Sequence, residues 1–345
     1  MSQNYYKQLQ FQYDHCDHDD NVYFNARLYN PTGVSSSLEA DFFETRQNEI
    51  LCGDLSDYQM AVVRMAVPQN NLPIFFFKNN TYVVTLRHSG VDYPATVIYT
   101  SQNTFDPNFR GVFNIQHMLD MINTALATAF ASIAPATATG PPIFLYDAVQ
   151  ERIYMEVENA YVADGIQLFV NYSLFNFLQG MNIIFNGYDA GSNKDIEIII
   201  KDNGNNLTAG ILRMDTEYQN IVNWFDNKGL VITTTTIPVD LEFINTTDIN
   251  RGGDDVVLPI MKDFINTRKL KTIRADFIYE QVGPYQWIDL NSPGNQGLRK
   301  IQFQVFSQSI DGSLRPISIS PNSALTAKLL FRRKTFANSF VDDGK

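Results

Sequence analysis

The sequence predicts a mainly β protein, a sandwich or jelly roll of short strands interrupted by one α+β lobe. Three observations carry this. Apolar and polar residues alternate over many short runs separated by turn residues. Phe (25) and Tyr (17) are abundant, and aromatic side chains favour sheets. Only one long run has helical spacing. Between Phe113 and Ile133 the residues Ile115, Met118, Leu119, Ile122, Leu126, Phe130 and Ile133 recur at gaps of three and four, which places them on one face of a helix.

Residues 1–34 are polar with scattered aromatics and read as an N-terminal arm. Strands begin at Leu38–Thr45. In the next run Ala61, Val63, Met65 and Val67 share a face, with Arg64 on the other. Leu72–Phe77 and Thr81–Arg87 follow, separated by a hairpin-type turn at Lys78-Asn79-Asn80, and Ser89-Gly90 turns the chain again. In the helix, Asn114 caps the first turn, Asp120 and Asn123 lie on the polar face, and Pro135 blocks continuation. Pro141–Asp147 and Arg152–Glu158 read as a hairpin, Ile166–Asn171 as a third strand, and Leu174–Gly180 as a short helical turn. The switch of period from 2 to 3.6 and back delimits an inserted lobe at 105–185, flanked by sandwich segments 35–104 and 186–345. In the second segment Ile301, Phe303 and Val305 alternate with Gln302 and Gln304, Asp311-Gly312 turns the chain, and Asn322–Lys334 forms the last strand. No fixed-period repeat is present, which argues against a propeller or solenoid.

The net charge is −11, a poor match to a nucleic-acid backbone over the whole surface, and no specific nucleic-acid binding is expected. No apolar stretch approaches the roughly 18–20 residues needed to span a bilayer. The start, MSQNYYKQLQ, lacks a basic segment followed by an apolar run, so no secretory signal is expected. Cys16 and Cys52 are too few for a disulfide framework, and both thiols are expected to be free.

Phosphate loops, dinucleotide fingerprints and nucleophile elbows are absent from the sequence. His88 reads as a turn residue and His117 as a residue at the helix edge, so no catalytic site and no cofactor are expected. The run Asp14–Asp20 (DHCDHDD) holds two histidines and a cysteine but matches no standard metal-site spacing, and no structural metal is expected. Arg332-Arg333-Lys334 is the one run of three consecutive cations. It reads either as a charged strand end or as a contact to a neighbouring subunit's carboxylates or to packaged nucleic acid.

Several segments, in order, carry a family resemblance. They are Arg46 through Tyr58 to Arg64, Pro68 and Leu72-Pro73-Ile74; the helix with Asn123 and Ala125 followed by PPIFLYD; YQNIVNWFDNKGLVITTTTIPV; LPIMKDF; IRADFIYEQVGPYQWIDL; and SPNSALTAKLLFRRK. Together they cover most of residues 40–335, and their order and spacing carry the likeness. The chain resembles the minor capsid, or penton, proteins of polinton-like viruses and virophages. Lys262 departs from the small hydroxyl residue expected before Asp263, and the acidic His/Cys arm has no counterpart. The resemblance implies a single jelly roll with an inserted lobe. It also implies a homopentamer at the five-fold vertices of a virion, beside a separate double-jelly-roll major capsid protein and a candidate vertex spike. The alternatives from other classes are a carbohydrate-binding or carbohydrate-cleaving β-sandwich protein and a receptor-binding spike. For a pentamer, the charge of −11 predicts assembly that strengthens with salt, unless Arg332, Arg333 or Lys334 pairs with a neighbour.

Overall fold

The structure is a computed structural model. It describes residues 21–31, 38–68, 72–101, 110–135, 137–188, 193–201, 210–219, 221–244, 256–265, 277–281, 284–292, 297–309 and 312–334. Its principal strands, in chain order, are β1 (Asn21–Asn30), β2 (Asp41–Thr45), β3 (Tyr58–Val67), β4 (Val83–His88), β5 (Val91–Thr96), β6 (Ile143–Asp147), β7 (Arg152–Glu158), β8 (Gln167–Val170), β9 (Ile183–Phe185), β10 (Ile196–Ile198), β11 (Ile211–Asp215), β12 (Asn227–Thr234), β13 (Leu241–Ile244), β14 (Val256–Ile265), β15 (Phe277–Glu280), β16 (Lys300–Ser309), β17 (Leu314–Pro316) and β18 (Ser323–Arg333). The long helix α1 spans Ile115–Ala131. The chain divides into two compact units, Met1–Leu72 with Asn227–Lys345, and Pro73–Asp226.

The first unit has two antiparallel sheets. One runs β1-β18-β3-β15. The other runs β13-β14-β12-β16, with β2 and β17 paired end to end on the outer edge of β16. Its eight main strands, numbered along the chain, stand 1-8-3-6 in one sheet and 2-7-4-5 in the other, which is the strand order of a jelly roll. One core joins the sheets: Phe24, Met60 and Val62 from the first meet Leu230, Ile232, Phe303 and Val305 from the second. Phe42 stacks on Phe303 with ring centroids 5.0 Å apart. The Thr-rich end of β12 closes on a buried amide. Gln302 Oε1 accepts from the Thr235 N–H and hydroxyl, its Nε2 donates to Asp41, and the Thr234 hydroxyl donates to the Gln302 carbonyl at 2.6 Å.

Three expectations change here. Residues 21–30, expected to lie in the arm, form a ten-residue strand paired along its whole length with β18. Phe24 and Ala26 enter the core, and buried Asn30 donates to the Ile319 carbonyl. In β3 the core-facing residues are Met60 and Val62, then Met65 and Val67. The register against β18 slips between Lys328 and Leu329, which leaves Val63 as a bulge and flips the alternation around it. Cys52 is disulfide-bonded instead of free; the expectation for Cys16 falls outside the described residues.

The second unit begins at 73 and ends at 226, wider than the expected 105–185. Strand β8 pairs with β4 on one side and β10 on the other, in a sheet ordered β9-β10-β8-β4-β5. It therefore does not extend the β6–β7 hairpin, whose third strand is β11. These ladders join segments from both sides of the expected boundaries, which a local change of period does not reveal. Phe75–Phe76 pairs with Gly111–Val112 and not with β4. The first hairpin is instead β4–β5 around Ser89-Gly90, where both φ angles are positive (52° and 80°), as a type I′ turn requires.

Helix α1 packs against β4, β5 and β6, with Met118, Leu119, Ile122 and Leu126 buried. Asn114 Oδ1 accepts from the His117 N–H at 2.7 Å, the predicted cap. Asn123, expected on the polar face, instead pins β6: its Nδ2 donates to the Phe144 carbonyl and its Oδ1 accepts from the Phe144 N–H.

Candidate assembly surface

The basic cluster caps β18. That strand lies between β1 and β3, so its inward residues Leu325, Ala327, Leu329 and Phe331 are held from both sides. Arg332, facing outward, lies opposite Asn21 on one neighbour and Gln59 on the other. Its guanidinium sits 3.7 Å from the Trp287 ring centroid. Its Nε and Nη2 both donate to Gln59 Oε1, at 3.3 and 3.2 Å. Loss of surrounding water pulls its pKa below the ordinary arginine value. Arg333 Nε donates to the Tyr58 hydroxyl at 3.0 Å, which donates in turn to the Cys52 carbonyl. Lys334 Nζ lies 3.6 Å from Asp289, whose Oδ1 also accepts from Gln59 Nε2.

All three cations thus have partners within the first unit. A guanidinium that reads phosphate or carboxylate needs its fork turned outward. Arg332 places its face on an indole and two of its donors on an amide, which ties the last strand to the Ile288–Asp289 strand beside β3. Replacing Arg332 by alanine is expected to cost about 1–2 kcal/mol through the lost stack and aliphatic packing. Arg332→Lys is expected to recover less than half of it, because it restores charge but not the planar fork. The urea midpoint and the Trp287 emission of the two variants check this.

The larger signal on this unit is apolar. Phe43 on β2 is 62% exposed, Leu241 on β13 62% and Ile278 on β15 65%. β13 and β15 are the outer strands of the two sheets, and β2 lies on the outer edge of β16. The outward face of β1 adds Tyr23, its ring under the Lys328 ammonium at 4.5 Å, and Tyr29, whose hydroxyl donates to Asn322. These strands carry apolar residues on both faces, so sequence alone does not tell which of them stays exposed.

Among the described residues the titratable groups do not assemble into a catalytic arrangement. His117 is buried, not at the helix edge, and its Nε2 lies 2.6 Å from the Thr100 carbonyl. The carboxylates with displaced pKa values, Asp54, Asp92, Asp147 and Asp164, are all lowered; hydrogen bonding is the leading cause, from Ser56, Arg87, Gln150 and Ala138 respectively. A glycosidase acid needs the opposite shift. Burial pushes Tyr82 up to about 12. Among the described residues no group of three or more His, Cys, Asp or Glu could hold a metal; the Asp14–Asp20 run lies outside them.

Charge divides unevenly between the units. Residues 73–226 hold seven Lys and Arg against fifteen Asp and Glu, so eight of the eleven net negative charges fall there. The other three fall in residues 1–20, and the remaining sandwich chain, 21–72 with 227–345, is balanced at eighteen of each sign.

The described residues thus form a jelly roll with a large insertion between its third and fourth strands and exposed apolar residues along its outer strands, a structural and not a catalytic arrangement. The model of the Sputnik minor capsid protein V18/19 family matches residues 22–333, and the chain belongs to that family. Structural protein V19 of the Sputnik virophage is 25% identical over 217 residues, covering 58% of this chain and 98% of that protein. A chain of the 3.5 Å cryo-EM structure of the Sputnik virophage matches with a TM-score of 0.71 at 23% identity, over 93% of this chain and 100% of that one. The mavirus penton protein matches with a TM-score of 0.61 at 13% identity, over 91% and 99%.

Proposed function

We propose that this chain is a penton, five copies of which close each five-fold vertex of an icosahedral virophage-type shell beside a separate double-jelly-roll major capsid protein. The observation that carries the reading is the family match across 22–333 on a single jelly roll; the fold likeness to a mavirus penton supports it. The chain acts as a structural component of the virion and not as an enzyme. The pentamer contact runs head to tail between sandwich flanks, through the outer strands that carry Phe43, Leu241 and Ile278. Arg332, Arg333 and Lys334 each have a partner within the first unit, so the contact rests on the apolar outer strands and not on the basic strand end.

The charge balance of the sandwich revises the expected salt response. Flanks without net charge meet without strong repulsion, so assembly changes little between about 0.05 and about 0.5 M NaCl, over which the Debye length falls from roughly 14 to 4 Å. Light scattering of the purified chain should give five times the 39.2-kDa chain mass, with five-fold rings in negative stain. A chain that stays monomeric at every concentration and is absent from purified particles overturns the reading. Assembly that appears only at high salt moves the contact to the acidic unit. Turnover on a glycan or ester panel, lost on changing one Asp or Glu, overturns the non-enzymatic role.

A further inference from the structure

Four exposed apolar side chains of the second unit gather around one strand. Ile184 and Phe185 of β9 are 48% and 51% exposed, Tyr172 40% and Tyr188 71%. Tyr188 is the centre of the group, its ring edge-to-face with Tyr172 at 4.8 Å and with Phe185 at 5.0 Å. The rings are held against one another while much of their surface meets water.

β9 is the outer strand of its five-stranded sheet. The Asn182 carbonyl accepts from the Ile199 N–H, and the Asn186 N–H donates to the Asp195 carbonyl. Alternate residues of an antiparallel strand turn their backbone groups to opposite sides, so Ile183 and Phe185 direct theirs toward the open edge. The other outer strand of the same sheet, β5, is protected. It carries Pro94, which has no N–H, and Asp92, which is paired with Arg87 and Lys194. β9 has neither a charge nor a proline. A sheet that guards one edge and leaves the other apolar and, among the described residues, unpaired offers a template for an added strand.

Charge indicates what that strand carries. The unit has an excess of eight acidic residues. Beside β9, Glu197 lies directly opposite Ile184, and Asp195 accepts the Tyr172 N–H. Lys194, the adjacent cation, is engaged by Asp92 at 2.6 Å. Exposed aromatic faces favour cations as well. We propose that the β9 edge, with Phe185, Tyr188 and Tyr172, docks an extended segment of a partner protein that alternates Lys or Arg with apolar residues, added as a sixth strand. A second copy of this unit brings the same acidic excess and is repelled. A neutral glycan uses the aromatic faces but neither the edge backbone nor the charge. The proposal does not depend on the penton reading.

The test uses the full chain and a fluorescein-labelled eight-residue peptide alternating lysine with valine, followed by anisotropy. The lysine peptide binds, and its glutamate counterpart binds at least tenfold more weakly. Ile184→Lys and Tyr188→Ala each weaken binding at least tenfold. Val149→Lys, which adds the same charge at a 94% exposed residue of the β6–β7 turn, leaves it within twofold. Absence of binding overturns the proposal, as does equal binding of the glutamate peptide, equal loss with Val149→Lys, or retention with Ile184→Lys. Displacement of the peptide by chitotriose assigns the surface to a glycan and overturns it too.

Discussion

A chain in which Pro73–Asp226 is replaced by a short Gly/Ser linker is expected to fold as a β sandwich, whereas in a chain lacking only residues 105–185 the remnant of the second unit is expected not to fold. The reason is where the ladders close. All eight jelly-roll strands and their shared core lie outside 73–226. The two ends of the second unit meet at its base, where the Asp226 N–H donates to the Ile74 carbonyl at 3.1 Å. A few linker residues span that gap, and the closure entropy of a short loop is small. The narrower deletion removes α1 and β8 but leaves β4, β5 and β10. Val84, Leu86, Ile196 and Ile198, all buried, would lose their cover. At about 1.5–3 kcal/mol for each exposed side chain, the loss is about 6–12 kcal/mol, comparable to the whole stability of a domain at about 5–15 kcal/mol. Far-UV circular dichroism and urea unfolding distinguish the two deletion variants. An unfolded linker chain would show that the sandwich depends on the second unit. A second cooperative transition in the narrower deletion, beyond that of the sandwich, would show that β4 and β10 hold without β8.

What could be read from the sequence was local. The alternation Ile301, Phe303, Val305 reports faithfully on β16, and the three-and-four spacing reports on α1, because each records the face a residue takes within one segment. Ser89-Gly90 was legible for the same reason, since the turn type dictates its residues. Pairing over long separations was not. β8 reads as a strand, but nothing within it says that its neighbours are β4 and β10. β1 was missed because its inward series Val22, Phe24, Ala26, Leu28, Asn30 includes a small residue and a buried amide, which flatten the hydrophobic contrast. The bulge at Val63 defeats a period-2 reading by its nature. For the basic strand end, composition showed the charge of Arg332 but not the Trp287 ring beneath it, 45 residues earlier in the chain.

Trp224→Ala is expected to cost the second unit about 3–5 kcal/mol while leaving the sandwich unchanged. Trp224 is fully buried, and its Nε1 donates to the Phe177 carbonyl at 2.9 Å. Its ring stands edge-on to Phe177 at 5.0 Å and to Phe75 at 6.3 Å. Phe177 also meets Phe75 at 4.7 Å and Tyr82 at 5.5 Å. The knot therefore joins the entry, the middle and the exit of the unit's chain, segments that no single ladder connects. Alanine leaves a ring-sized cavity, which sets the magnitude, and a buried carbonyl without its donor, which adds about 1 kcal/mol. Trp224→Phe keeps most of the ring and loses the hydrogen bond, so it should fall between alanine and the parent. The chain supplies its own reporters. It has two tryptophans, and Trp287 belongs to the first unit, while α1, the longest described helix, belongs to the second. In Trp224→Ala the helix signal near 222 nm should be lost about 6–20 °C earlier than in the parent, while the Trp287 emission transition stays in place. Equal shifts in both signals would mean that the two units unfold as one. A shift below about 2 °C in the helix signal would mean that the aromatic knot does not hold the second unit together.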